Sequence, residues 1–149
     1  MRYSYWFIVL LVVMYYYFAV YEAHEALETQ KVEKLKQIIR PIIPPDEFDR
    51  IKVFDMKEKY GKDVAYTKNK KRIWICTKDK QGVPEEREAL VFVLLHEYAH
   101  ALNSSAFQHD KEFEKTFKDL LRQADMHGIR YKQKDRICGH CVNPNACSI

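Results

Sequence analysis

The chain has 149 residues, 47% of them hydrophobic and 31% charged, with 4 Gly, 5 Pro and a formal net charge of +4. That is enough for one globular domain with one core, and it excludes a low-complexity or collagen-like chain. No repeat of solenoid length is present, and the charge is modest.

Residues 3–21, YSYWFIVLLVVMYYYFAVY, carry no charge and are closed by Arg2 and Glu22. As a helix rising about 1.5 Å per residue this run reaches roughly 28 Å, close to the thickness of a bilayer core. Its Tyr and Trp residues suit membrane interfaces. Residues 1–21 therefore read as a single membrane-spanning anchor. A cleaved signal peptide fits less well, because Arg2 alone forms the basic n-region and Tyr21-Glu22-Ala23 lacks a small-x-small pattern. A buried helix of a soluble protein is the third reading. Glu22, Glu25 and Glu28 follow the run, then Lys31, Lys34 and Lys36. Acidic residues weigh little in the positive-inside rule, and the reading leans toward a lumenal or external C-terminal domain.

Residues 22–45 read as a helical linker. Val32, Leu35, Ile38, Ile39 and Ile42 recur at helical spacing, and Pro41 predicts a stop near Arg40, with Pro44 and Pro45 confirming the break. The domain proper is expected over 46–149. Short strands come first: Ile51 and Val53 alternate with Lys52, and Val64 and Tyr66 lead into a polar turn at 68–71. RIWIC at 72–76 puts Ile73 and Ile75 on one face and Trp74 and Cys76 on the other, so two of these strands predict a hairpin. The basic cluster Lys68, Lys70, Lys71 and Arg72 offers contacts for nucleic-acid phosphates, but a solvated turn accounts for it more simply.

Pro84 and the glutamates after it favour a helix N-terminus. The helix they open is apolar all round from Ala89 to Leu95, which predicts burial, and Asn103-Ser104-Ser105 ends it. A last helix begins at about Asp110, a good N-cap, with Phe113, Phe117, Leu120, Leu121 and Ala124 as its apolar stripe and Gly128 as its stop.

The buried helix carries His96-Glu97-x-x-His100. Four helical residues are slightly more than one turn, so His96 and His100 project from one face and can share a zinc ion. Glu97 is rotated by about 100°, beside the metal-bound water rather than on the metal. Zinc lowers the water's pKa and polarises a carbonyl oxygen, while Glu97 can act as general base and pass the proton to the leaving amine. Two imidazoles and a carboxylate on an apolar helix are costly unless satisfied, and one Zn²⁺ satisfies them together. The third ligand comes from beyond the Asn-Ser-Ser break, from His109, Asp110, Glu112 or Glu114. His109 is favoured, with Asp110 as helix cap or as support for a ligand. His24 and His127 lack such neighbours.

NKKRIWICTKDKQGVPEEREALVFVLLHEYAHAL, with FQHDKEF after it, resembles the small zinc metallopeptidases of the WLM and SprT (Spartan)-like group, particularly short versions encoded by large DNA viruses. The likeness covers roughly residues 50–142. It implies an α+β, minimal zincin-like domain behind the transmembrane helix: a small antiparallel or mixed sheet, whose edge strand holds a protein or peptide substrate, with about three helices. It also implies His96, His100 and His109 as ligands of one catalytic Zn²⁺ and Glu97 as the base.

The tail at 129–149 holds Cys138-Gly139-His140-Cys141 and Cys147. With Cys76 these allow two disulfides in a lumenal domain, in any of three pairings; in the cytosol Cys138, His140, Cys141 and Cys147 suit a small structural zinc site, and free thiols are a further reading. The Cys-Gly-His-Cys letters match a protein disulfide isomerase active site but lack its strand–helix setting. The chain thus reads as a membrane-anchored zinc metallopeptidase. A non-catalytic zinc-stabilised interaction domain is the alternative, and a thiol oxidoreductase using Cys138 and Cys141 a further one.

Overall fold

The computed structural model describes residues 2–56, 65–79, 81–104, 109–134, 136–137 and 140–141. The chain forms two compact units, Met1–Lys31 and Val32–Ile149. Helix α1 spans Arg2–Ile39, so the apolar run and the segment after it form one helix with no break at residue 21. Within Trp6–Ile42 lies an apolar stretch long enough to cross a membrane, and side chains such as Leu10, Tyr15 and Phe18 are exposed.

In the second unit the end of α1 is core. Val32, Leu35 and Ile39 are buried, followed by Ile42 and Ile43, so residues 32–43, read from sequence as linker, help to build the domain. Pro41 ends α1 as its missing N–H requires, and the chain tightens into a 3₁₀ turn at Arg40–Ile42. A short helix α2 follows at Pro45–Arg50. It was not expected, because the two prolines read as a break. Pro45 instead occupies the first turn, where its lost N–H costs nothing, and Asp46 and Glu47 complement the helix dipole there.

Strands β1 (Lys52–Asp55), β2 (Ala65–Lys68) and β3 (Arg72–Ile75) form a mixed sheet in the order β1-β3-β2. β1 runs parallel to β3 and β2 antiparallel, so the expected hairpin is β2–β3. Val64 lies outside the described residues. Asn69 and Lys70 both have positive φ, 53° and 54°, which gives the primed turn whose twist suits a hairpin. Alternation sends Ile73 and Ile75 inward, where both are fully buried. On the other face Trp74 stacks between Phe54 and Tyr66, with ring centroids 5.3 and 5.0 Å away.

Helix α3 (Arg87–Leu102) lies in the core, and helix α4 (Lys111–Met126) packs its Phe113, Leu120 and Ala124 stripe inward. α3 begins three residues after Pro84. That proline stays extended in a bridge with Lys78, and the Glu85 N–H donates to Thr77 O, so the helix cannot start earlier. At the end of α4, Gly128 has φ 65° and the Ile129 N–H donates to Ala124 O, a glycine-based helix stop. The tail adds β4 (Arg136–Ile137) paired antiparallel with β5 (His140–Cys141), and Ile137 is buried. The described parts thus make an α+β domain of helices against a small mixed sheet.

Tyr98 on α3 is fully buried, and its hydroxyl has no hydrogen-bond partner among the described residues. Burial pushes its pKa up, with the Glu33 charge adding to the effect. An unsatisfied buried hydroxyl costs about 1–3 kcal/mol, whereas the ring fills space equally well as Phe. Tyr98→Phe is therefore expected to stabilise the protein by about 1 kcal/mol. Chemical denaturation of the full chain in detergent micelles measures this; a loss of stability would show that the hydroxyl has a partner.

Candidate metal centre

α3 carries His96 and His100 on one face because they are four residues apart. It stops at Leu102, and Asn103 closes it through its N–H to Ala99 O at 2.9 Å. Residues 105–108 lie outside the described part. His109 then stands at the foot of α4 with φ 57°, a left-handed conformation unusual for a residue with a Cβ. In that conformation its Nε2 lies 3.1 Å from His96 Nε2, and His100 Nε2 lies 3.2 Å from the same atom.

These three nitrogens form a compact donor set, with all ligand atoms within 4.8 Å of one another. A tetrahedral zinc with nitrogens at about 2.0–2.1 Å holds them about 3.3–3.4 Å apart, near the two separations from His96 Nε2. Hydrogen bonding among the rings is a poorer account, since each neutral imidazole has one N–H and three Nε2 atoms converge on one point. His96 is held neutral down to a pKa of about 4, first by burial and then by the neighbouring His100 and His109. His100 is likewise lowered to about 4 by burial and by His109. Neutral rings present the lone pairs that a metal requires.

Phe113 forms a wall against all three rings, with centroids 5.0 Å from His96, 4.3 Å from His100 and 4.8 Å from His109. Phe117 touches His96 at 5.2 Å. Phe113 and Phe117, four residues apart, lie along one side of α4 and face these rings, though sequence reading assigned the two only to core packing. The other third-ligand choices do different work. Asp110 caps α4 by accepting from the Phe113 N–H at 2.8 Å, and also accepts from Asn103 Nδ2 at 3.2 Å. Glu112 accepts from the Ser104 hydroxyl at 2.7 Å, and Glu114 faces Lys118. His127 contacts Gln123 O, and neither His24 nor His127 joins the donor set.

Glu97 is 6% exposed, and Thr67 on β2 donates its hydroxyl to Glu97 Oε2 at 2.7 Å. Lys70, from the basic turn, donates to the backbone carbonyl of Asn103 at the end of α3, where a cation is favoured. Sequence reading missed Thr67, Lys70 and the Asn103–Asp110 pair, since each partner lies far along the chain. An inward Thr on a strand otherwise facing the core was the one available signal.

Cys76, just beyond β3, is disulfide-bonded. The only other cysteines are Cys138, Cys141 and Cys147, whose side chains lie outside the described residues. Cys141 lies on β5, not at a helix N-terminus as a thiol oxidoreductase site requires.

No protein-family profile matches the chain. It is similar to the uncharacterized protein 136R of Invertebrate iridescent virus 6, at 29% identity over 126 residues, covering 74% of this chain and 70% of that relative. Among solved structures it is similar to Wss1 from Saccharomyces cerevisiae and to a Wss1 mutant, with TM-scores of 0.43 and 0.44 at 17% and 16% identity. Those matches cover 51% and 52% of this chain, which spans only 62% and 64% of the Wss1 chains.

The low imidazole pKa values set a pH dependence for the metal-free protein. The unfolded chain takes up these protons near the ordinary value of 6.5, but the folded chain resists until about 4. Protons therefore bind the unfolded state preferentially, and stability falls as the pH drops from about 6.5 to about 4. Thermal melts in chelator are expected to show that loss, with a shallower slope when His96 and His100 are both replaced by Asn. Equal slopes would mean that the two rings are not held neutral.

Proposed function

We propose that this chain is a membrane-anchored zinc metallopeptidase, with His96, His100 and His109 as the metal ligands and Glu97 as the general base. The observation that carries the reading is the convergence of three imidazole Nε2 atoms, at 3.1 and 3.2 Å, on a helix that places a buried carboxylate next to the first ligand. A zinc ion in that set would supply Lewis acidity to a water and to the substrate carbonyl. Glu97 accepts a proton from the attacking water and returns it to the departing amine nitrogen, as one C–O bond forms and one C–N bond breaks. The burial of Glu97 supports catalysis over a purely structural zinc site, which has no need of that carboxylate.

The substrate class is polypeptide. β2 is an edge of the sheet and is the strand that touches Glu97, so an extended peptide added to that edge would pass the site with its backbone hydrogen-bonded. The apolar stretch within Trp6–Ile42 supports a membrane anchor. The disulfide at Cys76 favours an oxidising location, lumenal or external, for the second unit.

The test uses the purified full chain in detergent. About one zinc per chain is expected, and it is lost on His96→Ala, His100→Ala or His109→Ala. A proteome-derived peptide library read by mass spectrometry should reveal cleavage. Glu97→Gln is expected to keep zinc and fold while losing about 100-fold or more of that activity. Zinc binding without any cleavage would favour the non-catalytic, zinc-stabilised domain. Unchanged zinc in His109→Ala would remove His109 from the site.

A further inference from the structure

We propose that Thr67 is a positioning residue for the hydrolysis, its hydroxyl fixing the Glu97 carboxylate in the orientation proton transfer needs; this rests on Glu97 being the general base. The register of the sheet places Thr67 opposite Ile73 and Ala65 opposite Ile75, so both β2 residues face inward with the buried isoleucines. Their neighbours Tyr66 and Lys68 face the other way. A hydroxyl on the inward face needs a partner, and α3 presents one. Thr67 Oγ1 lies 2.7 Å from Glu97 Oε2 and 3.0 Å from the Glu97 backbone carbonyl oxygen.

One hydroxyl proton cannot serve both acceptors. The carboxylate contact is the shorter, and a charged acceptor makes the stronger bond, so the proton goes to Oε2. Thr suits the task because its β-branch restricts χ1 and so fixes the direction of the donor. Glu has three side-chain torsions, and a base free to sample them spends little time aligned with a water. A bond to one carboxylate oxygen constrains the plane of the group and thereby the direction of the other oxygen. The consequence for hydrolysis is that the base is pre-aligned by the sheet edge proposed to hold substrate.

The experiment uses the zinc-loaded full chain in detergent and the best peptide from the cleavage screen. Thr67→Val keeps the shape and the β-branch but removes the hydroxyl. It is expected to lower kcat by about 10- to 100-fold, the range typical of groups that orient a catalytic residue, with KM and zinc content nearly unchanged. Thr67→Ser is expected to restore most of the rate. If Thr67→Val does not fold, the comparison of Thr67→Ser with Thr67→Ala replaces it, since both lose the methyl and differ only in the hydroxyl. In a Glu97→Gln background, Thr67→Val should add no further loss, because the two side chains act as one unit. Wild-type kcat in Thr67→Val, a loss confined to KM or zinc content, or an additive double variant overturns the role of Thr67 while leaving the peptidase reading intact. An inactive wild-type protein, or a fully active Glu97→Gln, overturns both.

Discussion

α3 enters the core carrying two imidazoles and a carboxylate. His96 and His100 are partly buried and Glu97 almost wholly so, on a helix otherwise lined by residues such as Leu94, Leu95 and Ala99. Each polar group there must be satisfied by the protein or by a bound ion, or it weakens the fold. The environment solves the two problems in different ways. The histidines are held neutral and turned with His109 toward one point, while the carboxylate receives a hydroxyl from the sheet. Phe113 lines one side of the donor set, while His109 remains exposed on the other.

The third histidine does not come from α3, so its placement depends on how the chain turns after Leu102. That turn is braced on both sides. Asn103 is buried, its carbonyl takes the Lys70 ammonium, and its side-chain amide reaches Asp110. Asp110 in turn caps α4 one residue after His109. The left-handed backbone at His109 is disfavoured for a residue with a Cβ, and it persists because Asp110 on one side and the packed rings on the other fix it. The β2–β3 hairpin therefore supports both halves of the site, Thr67 acting on Glu97 and Lys70 on the bend.

Much of this was legible from sequence where periodicity and chemistry coincided. The apolar run from Ala89 to Leu95 marked a buried helix, and the His-Glu-x-x-His spacing on it marked a donor pair. Ile73 and Ile75 marked the inward face of β3, and Asp110 the start of α4. Less legible were features set by distant partners. Pro45 and Pro84 both signal helix starts by the same rule, yet Pro45 opens α2 whereas Pro84 pairs in an extended bridge with Lys78. The difference lies in what each can hydrogen-bond to, which local pattern does not contain. Thr67 is thirty positions from Glu97, and nothing near it in sequence marks its hydroxyl as different from that of any strand threonine.

A helix that carries a metal site must also be held along its axis, because a slip of one residue rotates every side chain by about 100° and takes His96 and His100 off target. Close packing of Ala89, Leu94, Leu95 and Ala99 resists such a slip, since each fills a particular space. Polar contacts at the two ends add further fixed points. At the C-terminal end Lys70 and Asn103 provide one. At the N-terminal end the Lys132 N–H donates to the Glu88 carbonyl at 3.0 Å, and Lys132 and Lys134 pair with Glu85 and Glu86. The Lys132–Glu86 pair is exposed and weak, whereas Lys134 and Glu85 are partly buried. Beyond them Ile137 is buried. The stretch after α4 thus helps to keep α3 in register through the Lys132 backbone bond and the pairs to Glu85 and Glu86.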